Sequence, residues 1–180
     1  LWVYYDVSER RDRERQLEAL NETARELMAA ETREAVAEIG VEAADTVLGL
    51  EANAIHFHEA DAGLVPVAAT DTVRDLVGDL PTFTGNDSIA WRAYEAGEPI
   101  SIDDVRADPD NYNPETPIRS ELHLPLGNHG ILIAGSPAVG VFDRSDRVLG
   151  EILATTLVTA LDQVARTKQL RERERHLTRQ

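Results

Sequence analysis

One uninterrupted helix pattern closes this sequence, running from Ser145 to Gln180. Ser145 can cap the first turn, and at 1.5 Å per residue the helix would be about 52 Å long. Its first half carries six apolar residues at helical spacing: Leu149, Leu153, Leu157, Ala160, Leu161 and Val164. A charged run over residues 171–175 follows. One small domain does not need so long a helix, so we predict that residues 166–180 leave the domain as a coiled-coil linker.

The N-terminal segment combines a short apolar run with a charged helix. Leu1 to Val7 is apolar, aromatic and β-branched, which predicts a strand. Ser8 can then cap a helix that continues to about Ala30. This helix and the closing helix supply our candidates for a homodimer interface, which follow a coiled-coil spacing. These candidates are Leu17, Leu20, Ala24, Leu27, Leu149, Leu153, Leu157, Ala160 and Val164.

Between the two terminal helices, helical and strand patterns alternate. Thr32 can cap a second helix that ends at Gly49, and Asp87 or Ser88 can cap a third that runs through Ala96. The predicted strands are Ala52–Glu59, Leu64–Ala69, Ile100–Ile102, Glu121–Leu126 and Ile131–Ser136, with Val139–Phe142 as a possible extension. Residues 103–120 form a long loop, and long loops are often functional. Short antiparallel strands with helices predict an α+β fold.

Composition excludes several classes of function. The 33 acidic against 18 basic residues give a net charge of -15, which opposes contact with nucleic acid. A single lysine, Lys168, beside this acid excess indicates a surface that works in concentrated salt, as in an extreme halophile. Without cysteine, the chain has no disulfide, thiolate nucleophile or Cys-ligated zinc. The longest apolar run, Ile131 to Gly135, is far below a membrane span, so we predict a cytoplasmic protein without a membrane partner.

Residues Gly85 to Asp104 hold a predicted helix, the sequence Gly-Glu-Pro, a strand and Asp, and resemble the central pattern of GAF domains. Arg119 to Leu126, the hairpin after it and the Phe142–Asp146 segment are similar to the family's remaining landmarks, in the same order. The resemblance covers roughly residues 17–165. It implies an antiparallel sheet of five or six strands, with the terminal helices on one face and a short helix and loops over a pocket on the other.

The sequence from Asp6 to Arg10 resembles the end of a PAS domain's closing strand. The two resemblances imply a PAS-like tail over 1–8, a linker or dimerisation helix over 9–30 and a GAF domain over 31–165. Such arrangements occur in haloarchaeal signalling proteins, including bacterio-opsin-activator-like regulators, and end in a histidine kinase or a helix-turn-helix output. The implied function is a sensor or relay of signal transduction, with those flanking domains as partners.

Several activities of GAF domains require residues that this chain lacks. Bilin-binding members and free-methionine-sulfoxide reductases of this fold use cysteine, which is absent here. The Asn-Lys-Phe-Asp-Glu series associated with cyclic-nucleotide binding is also missing, and its nearest fragment is Phe142-Asp143. We therefore predict a protein that is not an enzyme and has no cofactor, and whose small-molecule ligand is unknown.

Six residues are candidates for the ligand pocket: His56, His58, Trp91, Tyr94, Tyr112 and His123. His56 and His58 share one strand face, so the alternative is a metal sensor or metal-dependent enzyme in which His123 adds a third nitrogen. Histidines without metal are favoured because no second His-rich cluster supplies further ligands. Core packing is favoured over ligand stacking for the two aromatic residues of the short helix. A spacer with a filled pocket is the third interpretation.

Overall fold

The structure, a computed structural model, describes residues 2–85 and 87–179, with side chains described from residue 7 onward. Within these ranges the chain forms five α-helices, one 3-10 helix (Val105–Ala107) and one five-stranded sheet. The helices are α1 (Trp2–Ala29), α2 (Arg33–Thr46), α3 (Asp71–Val77), α4 (Ile89–Ala96) and α5 (Arg144–Thr178). The strands are β1 (Ala52–Glu59), β2 (Gly63–Ala69), β3 (Ile100–Ile102), β4 (Ser120–Leu126) and β5 (Gly130–Ser136).

The sheet is antiparallel throughout, in the order β2-β1-β5-β4-β3. Two hairpins, β1–β2 and β4–β5, supply four of the strands, and the second joins the predicted strands Glu121–Leu126 and Ile131–Ser136. Thr32 and Ser88 accept hydrogen bonds from backbone N–H groups of α2 and α4, as expected of their capping positions. The predicted α+β fold with a five-stranded antiparallel sheet is confirmed.

One face of the sheet is packed against α1, α2 and α5. Alternate residues of three strands supply it, because side chains of a strand point to opposite faces in turn. The wholly buried side chains of this face are Ile55, Phe57, Leu122, Leu124, Leu126, Leu132 and Ala134. Burying each of the larger ones contributes about 1.5–3 kcal/mol. This packed face is the main hydrophobic core.

Two glycines let the helices approach this face closely. A Cβ atom on Gly40 of α2 would lie 2.8 Å from Cδ2 of Leu157. A Cβ atom on Gly150 of α5 would lie 2.7 Å from Cδ1 of Leu124. Real Cβ atoms do not approach other atoms so closely, so a side chain at either position would push the helix away from its neighbour.

The predicted strand at the N-terminus is wrong over the described residues, since α1 already begins at Trp2; Leu1 lies outside them. An isolated strand leaves its backbone groups without partners, whereas a helix satisfies them within the same segment. Residues 71–77, for which the sequence predicted no helix, form α3. The segment 139–142 forms no strand, and α5 is capped by Asp143 rather than by Ser145. Asp143 exchanges hydrogen bonds with Asp146 in a reciprocal capping box.

The predicted dimer seam lies mostly inside the chain's own core. Six of its nine residues are buried there: Leu20, Leu27, Leu149, Leu153, Leu157 and Ala160. Ala24 and Val164 are half-buried, and only Leu17 is exposed. The six buried side chains cannot face a second copy of the chain, and their assignment to an interface is corrected. Helical spacing marks an apolar stripe but does not tell whether the stripe meets its own sheet or a partner.

Among the described helices, α5 is long and apolar enough to cross a membrane by length and composition, with a mean hydropathy of 1.4 over 18 residues. A helix in the core of a soluble protein passes the same test of length and composition. Within α5, Leu149, Leu153, Leu157 and Leu161 are buried against the sheet or the other helices. Its apolar composition is thus explained by the core that it completes.

Candidate functional site

The opposite face of the sheet, which we call the cavity face, is incompletely filled. Here α3, α4 and the segment 103–119 cover the strands and leave a cavity of about 330 Å³. Its walls are mainly apolar, with Val73 and Val77 from α3, Ile89 from α4 and Ile118 from the segment 103–119. Its floor includes Ile133 of β5. Cavities of this size hold small organic molecules.

His56 lies in the wall of the cavity and is 2% exposed. Its Nε2 atom lies 3.1 Å from the carbonyl oxygen of Pro81, and a carbonyl only accepts, so Nε2 carries the hydrogen. Burial, with a smaller contribution from the nearby His123, lowers the pKa of His56 to about 4, so the ring is neutral at pH 7. Its Nδ1 atom is buried and has no hydrogen-bond partner among the described residues.

His123 reaches the same cavity from β4 and is also 2% exposed. Its Nε2 atom lies 2.7 Å from Oε2 of Glu121, two residues earlier on the same strand face. Like that of His56, its Nδ1 atom is buried and has no partner among the described residues. Glu121 also lines the cavity, so the site holds two buried imidazoles and a carboxylate.

The segment 103–119 is held over the cavity by two arginine clasps. Arg92 of α4 donates to both carboxylate oxygens of Asp108, at 3.1 and 2.9 Å, and to Asp110. Arg119 donates to Asp104 at 3.1 and 2.7 Å. Hydrogen bonds from Arg92 lower the pKa of Asp108, and those from Arg119 lower the pKa of Asp104. The clasps place residues 111–113 against the cavity.

Three of the six predicted pocket residues line the cavity, namely His56, His123 and Tyr112. Tyr112 is 58% exposed and meets the ring of Phe83 edge-on, with centroids 5.4 Å apart. It therefore lies at the rim of the cavity.

The other three, His58, Trp91 and Tyr94, form a separate aromatic cluster between β1 and α4. The rings of His58 and Tyr94 are stacked with centroids 5.2 Å apart, and Trp91 tilts against both. The hydroxyl of Tyr94 donates to the carbonyl oxygen of Asn128 at 2.9 Å and ties α4 to the β4–β5 hairpin. Their predicted place in the pocket is corrected, and the preference for core packing of the two α4 aromatics fits their position.

Sequence reasoning missed four polar residues of the cavity: Asp79, Ser88, Thr116 and Glu121. The strand alternation that was used for Leu122 and Leu124 places Glu121 on the face of His123, so this pair was open to prediction. Asp79 and Thr116 lie in irregular segments, where no periodicity reports on which way a side chain points.

No group of three or more potential metal ligands is assembled among the described residues. The Nε2 atoms of His56 and His123 are engaged by Pro81 and Glu121, and His58 is stacked on Tyr94. The metal alternative therefore gains no support from the structure.

The fold is an α+β domain with a cavity between the sheet and its covering segments. A family model described as "GAF domain" matches residues 30–162. The chain belongs to the GAF domain family, and the fold that the sequence resemblance implied is confirmed. No curated protein matches the chain in sequence.

Solved structures repeat the same architecture. Free methionine-R-sulfoxide reductase from Neisseria meningitidis, in complex with its substrate, matches with a TM-score of 0.71 and 19% identity, over 84% of this chain and 91% of that one. The GAF domain of a phosphoenolpyruvate-protein phosphotransferase from Coxiella burnetii matches with a TM-score of 0.70 and 22% identity, over 86% and 96%. The A. aeolicus nlh2 GAF domain in an inactive state matches with a TM-score of 0.65 and 12% identity, over 84% of this chain and 98% of that one. At these identities the likeness shows the fold.

Proposed function

We propose that this chain is a sensor or relay module that binds a small molecule in the cavity and passes the change in occupancy to its terminal helices. The observation that carries the proposal is the cavity of about 330 Å³, which two buried histidines line with unpartnered nitrogen atoms. Such atoms cost free energy when they stay unpaired, and the fold keeps two of them in side chains that line the cavity. A domain that acts only as a spacer gains nothing from unpaired buried atoms.

The strands provide a physical connection between the cavity and the helices. On β5, Ile133 faces the cavity while its neighbour Leu132 is buried in the packed core. On β4, His123 faces the cavity, and the next residue, Leu124, meets Gly150 of α5. A ligand that displaces these strands therefore changes the surface on which α5 rests.

The β4–β5 hairpin adds a second connection. Its Asn128 carbonyl accepts from Tyr94 of α4, whose first residues line the cavity. The Nε2 atom of the neighbouring His129 lies 2.6 Å from the Asp162 carboxylate of α5. The hairpin thus touches both a cavity wall and the outgoing helix.

The output would be carried by the part of α5 beyond the core. Leu170 and Leu177 are 56% and 73% exposed and lie seven residues apart, on one side of the helix. We propose that this exposed stripe, with Leu17 of α1, forms the contact of the predicted homodimer in place of the candidate residues that are buried in the core. The same proposal includes the flanking domains, with a PAS-like domain before the chain and a kinase or helix-turn-helix effector after it. It also includes a cytoplasmic, salt-rich setting without nucleic-acid or membrane contacts.

The enzymatic alternative is weaker. One structural neighbour is a methionine sulfoxide reductase, but this chain has no cysteine to reduce a sulfoxide with a thiol. We propose that the chain is not an enzyme.

The test is to denature the purified full chain and identify by mass spectrometry what it releases. We expect an organic molecule in stoichiometric amount from the wild-type chain. The variant Ala54→Phe, which fills the cavity from β1, should release none, and Val148→Phe on the exposed side of α5 serves as the matched control. Stoichiometric metal without an organic molecule, or equal release from wild type and the folded Ala54→Phe variant, would contradict the proposal.

A further inference from the structure

The charges around the cavity have one sign. Among the described residues that line it, the charged ones are Asp79 and Glu121, and none is an arginine or lysine. The two arginines of the covering elements, Arg92 and Arg119, are already engaged by Asp104, Asp108 and Asp110. An anionic ligand would lose its hydration beside carboxylates and gain no cation in return. The cavity therefore disfavours carboxylates and phosphates.

The unpartnered atom of His56 is a hydrogen-bond acceptor. Its Nε2–H is given to the Pro81 carbonyl, and the ring is neutral, so Nδ1 presents a lone pair. Because the ring is 2% exposed, water does not satisfy this lone pair from outside. A molecule in the cavity that brings a donor would satisfy this atom.

His123 is the second buried imidazole of the cavity. Its Nε2 atom lies 2.7 Å from Oε2 of Glu121, and its Nδ1 atom has no partner among the described residues. The two histidines stand on β1 and β4, with β5 between them. Ile133 of β5 pairs with His123 on one side and with Ala54 on the other, which makes the floor between the two histidines apolar.

We propose, building on the proposed function, that the cavity selects a neutral or cationic small molecule with an apolar body and an N–H group that donates to Nδ1 of His56. The apolar body would lie on Ile133 and against Ile89 and Ile118. A second polar group on the ligand would reach His123. The acidic side chains set the charge that the site accepts, and the histidines set the polarity of its hydrogen bonds.

Four probes that share one phenyl ring separate these features. Benzamidine is cationic and benzamide neutral, and both carry N–H donors; benzoate is an anion with acceptors only; toluene has no polar group. Each is titrated into the full wild-type chain with ¹⁵N-labelled histidine, and the ring signals are followed by NMR. We expect benzamide and benzamidine to bind at least about tenfold more tightly than benzoate and to move the signals of His56.

Variants locate the contact. Because glutamine places an N–H donor where His56 holds Nε2–H, His56→Gln keeps the bond to Pro81 and loses the Nδ1 acceptor. This variant should bind benzamide about fivefold or more weakly and should bind toluene as tightly as the wild type does. His58→Gln is the matched control, since His58 shares the strand face but lies outside the cavity. The probe series needs only the wild-type chain, so it decides the proposal even if a variant fails to fold.

The outcomes separate this inference from the proposed function. The inference would be overturned if benzoate bound as tightly as benzamide. It would also be overturned if toluene bound as tightly as benzamide and lost as much affinity in His56→Gln. In either case the cavity would still be a ligand site. Failure of all four probes would also overturn it. A chain that binds no probe and also releases no organic molecule on denaturation would contradict the proposed function as well.

Discussion

The two faces of the sheet use the same strands for opposite purposes. On the packed face, Leu122, Leu124 and Leu132 are fully buried between the strands and the long helices. On the cavity face, the residues beside them in sequence are Glu121, His123 and Ile133, which surround an empty volume. Strand alternation separates a face that stabilises the fold from a face that can be left underpacked. The cost of unpaired polar atoms is tolerable here because the other face is dense.

The largest expected difference between the faces comes from two neighbours on β5. Leu132→Ala should lower the free energy of unfolding by about 3–4 kcal/mol, because it leaves a void in a dense core. Ile133→Ala should cost about 1–2 kcal/mol, because this side chain already borders a cavity. Urea unfolding of both variants at fixed salt measures the pair. Equal losses would mean that the two faces are packed alike.

The next effect is a pH dependence that belongs to the cavity face. An ordinary histidine has a pKa of 6.5, whereas that of His56 is about 4. Between pH 6.5 and 4 the unfolded chain therefore binds a proton that the folded chain does not bind. Stability from this residue is fully present above pH 6.5 and is lost as the pH falls to 4. The free energy of unfolding should fall by about 3 kcal/mol, because each unit of pKa difference contributes about 1.4 kcal/mol.

Subtracting the stability curve of His56→Gln from that of the wild type isolates this contribution. The carboxylates of Asp104 and Asp108 titrate in both proteins, so their effects cancel to the extent that they do not interact with His56. A difference curve that is flat between pH 6.5 and 4 would show that the buried ring keeps an ordinary pKa.

A smaller effect concerns how the cavity face is closed. Arg92→Gln removes the clasp on Asp108 and Asp110 and should cost about 1 kcal/mol, because the arginine is partly exposed. Amide hydrogen exchange should speed up in residues 105–113. Arg147→Gln breaks an exposed pair with Glu151 on α5 and should change stability by less than about 0.5 kcal/mol. Equal exchange in the two variants would mean that the clasp does not hold the segment.

The smallest effect on stability is expected on the exposed stripe of α5. Leu170→Glu should change the free energy of unfolding by less than about 0.5 kcal/mol, because Leu170 is 56% exposed. Sedimentation equilibrium should show that the same variant associates at least about tenfold more weakly, since the charge would lie in the proposed contact. Leu157→Glu is the contrasting variant, because it buries a charge in the core and should unfold the chain. A Leu170→Glu variant that dimerises like the wild type would place the contact elsewhere.

Most of the fold could be predicted because its signals are local. Thr32 and Ser88 cap their helices as predicted, and both hairpins lie where turn residues interrupt apolar runs. The candidate site was predicted only in part. His56 and His123 line the cavity, but His58, on the same face as His56, is stacked on Tyr94. Periodicity gives the face of a strand, while the position along that face decides which covering element a side chain meets.

The sequence by itself determined the family, the order of helices and strands, the absence of thiol chemistry and the acidic surface. These follow from short-range patterns and from composition, which are present in the chain before it folds. Only the tertiary structure decided that Leu20 and Leu157 belong to the core, that α3 forms, and that Glu121 and His56 meet across one cavity. Each of these depends on which distant segments pack together, because an apolar stripe or an unpaired nitrogen acquires its role from the neighbour it meets.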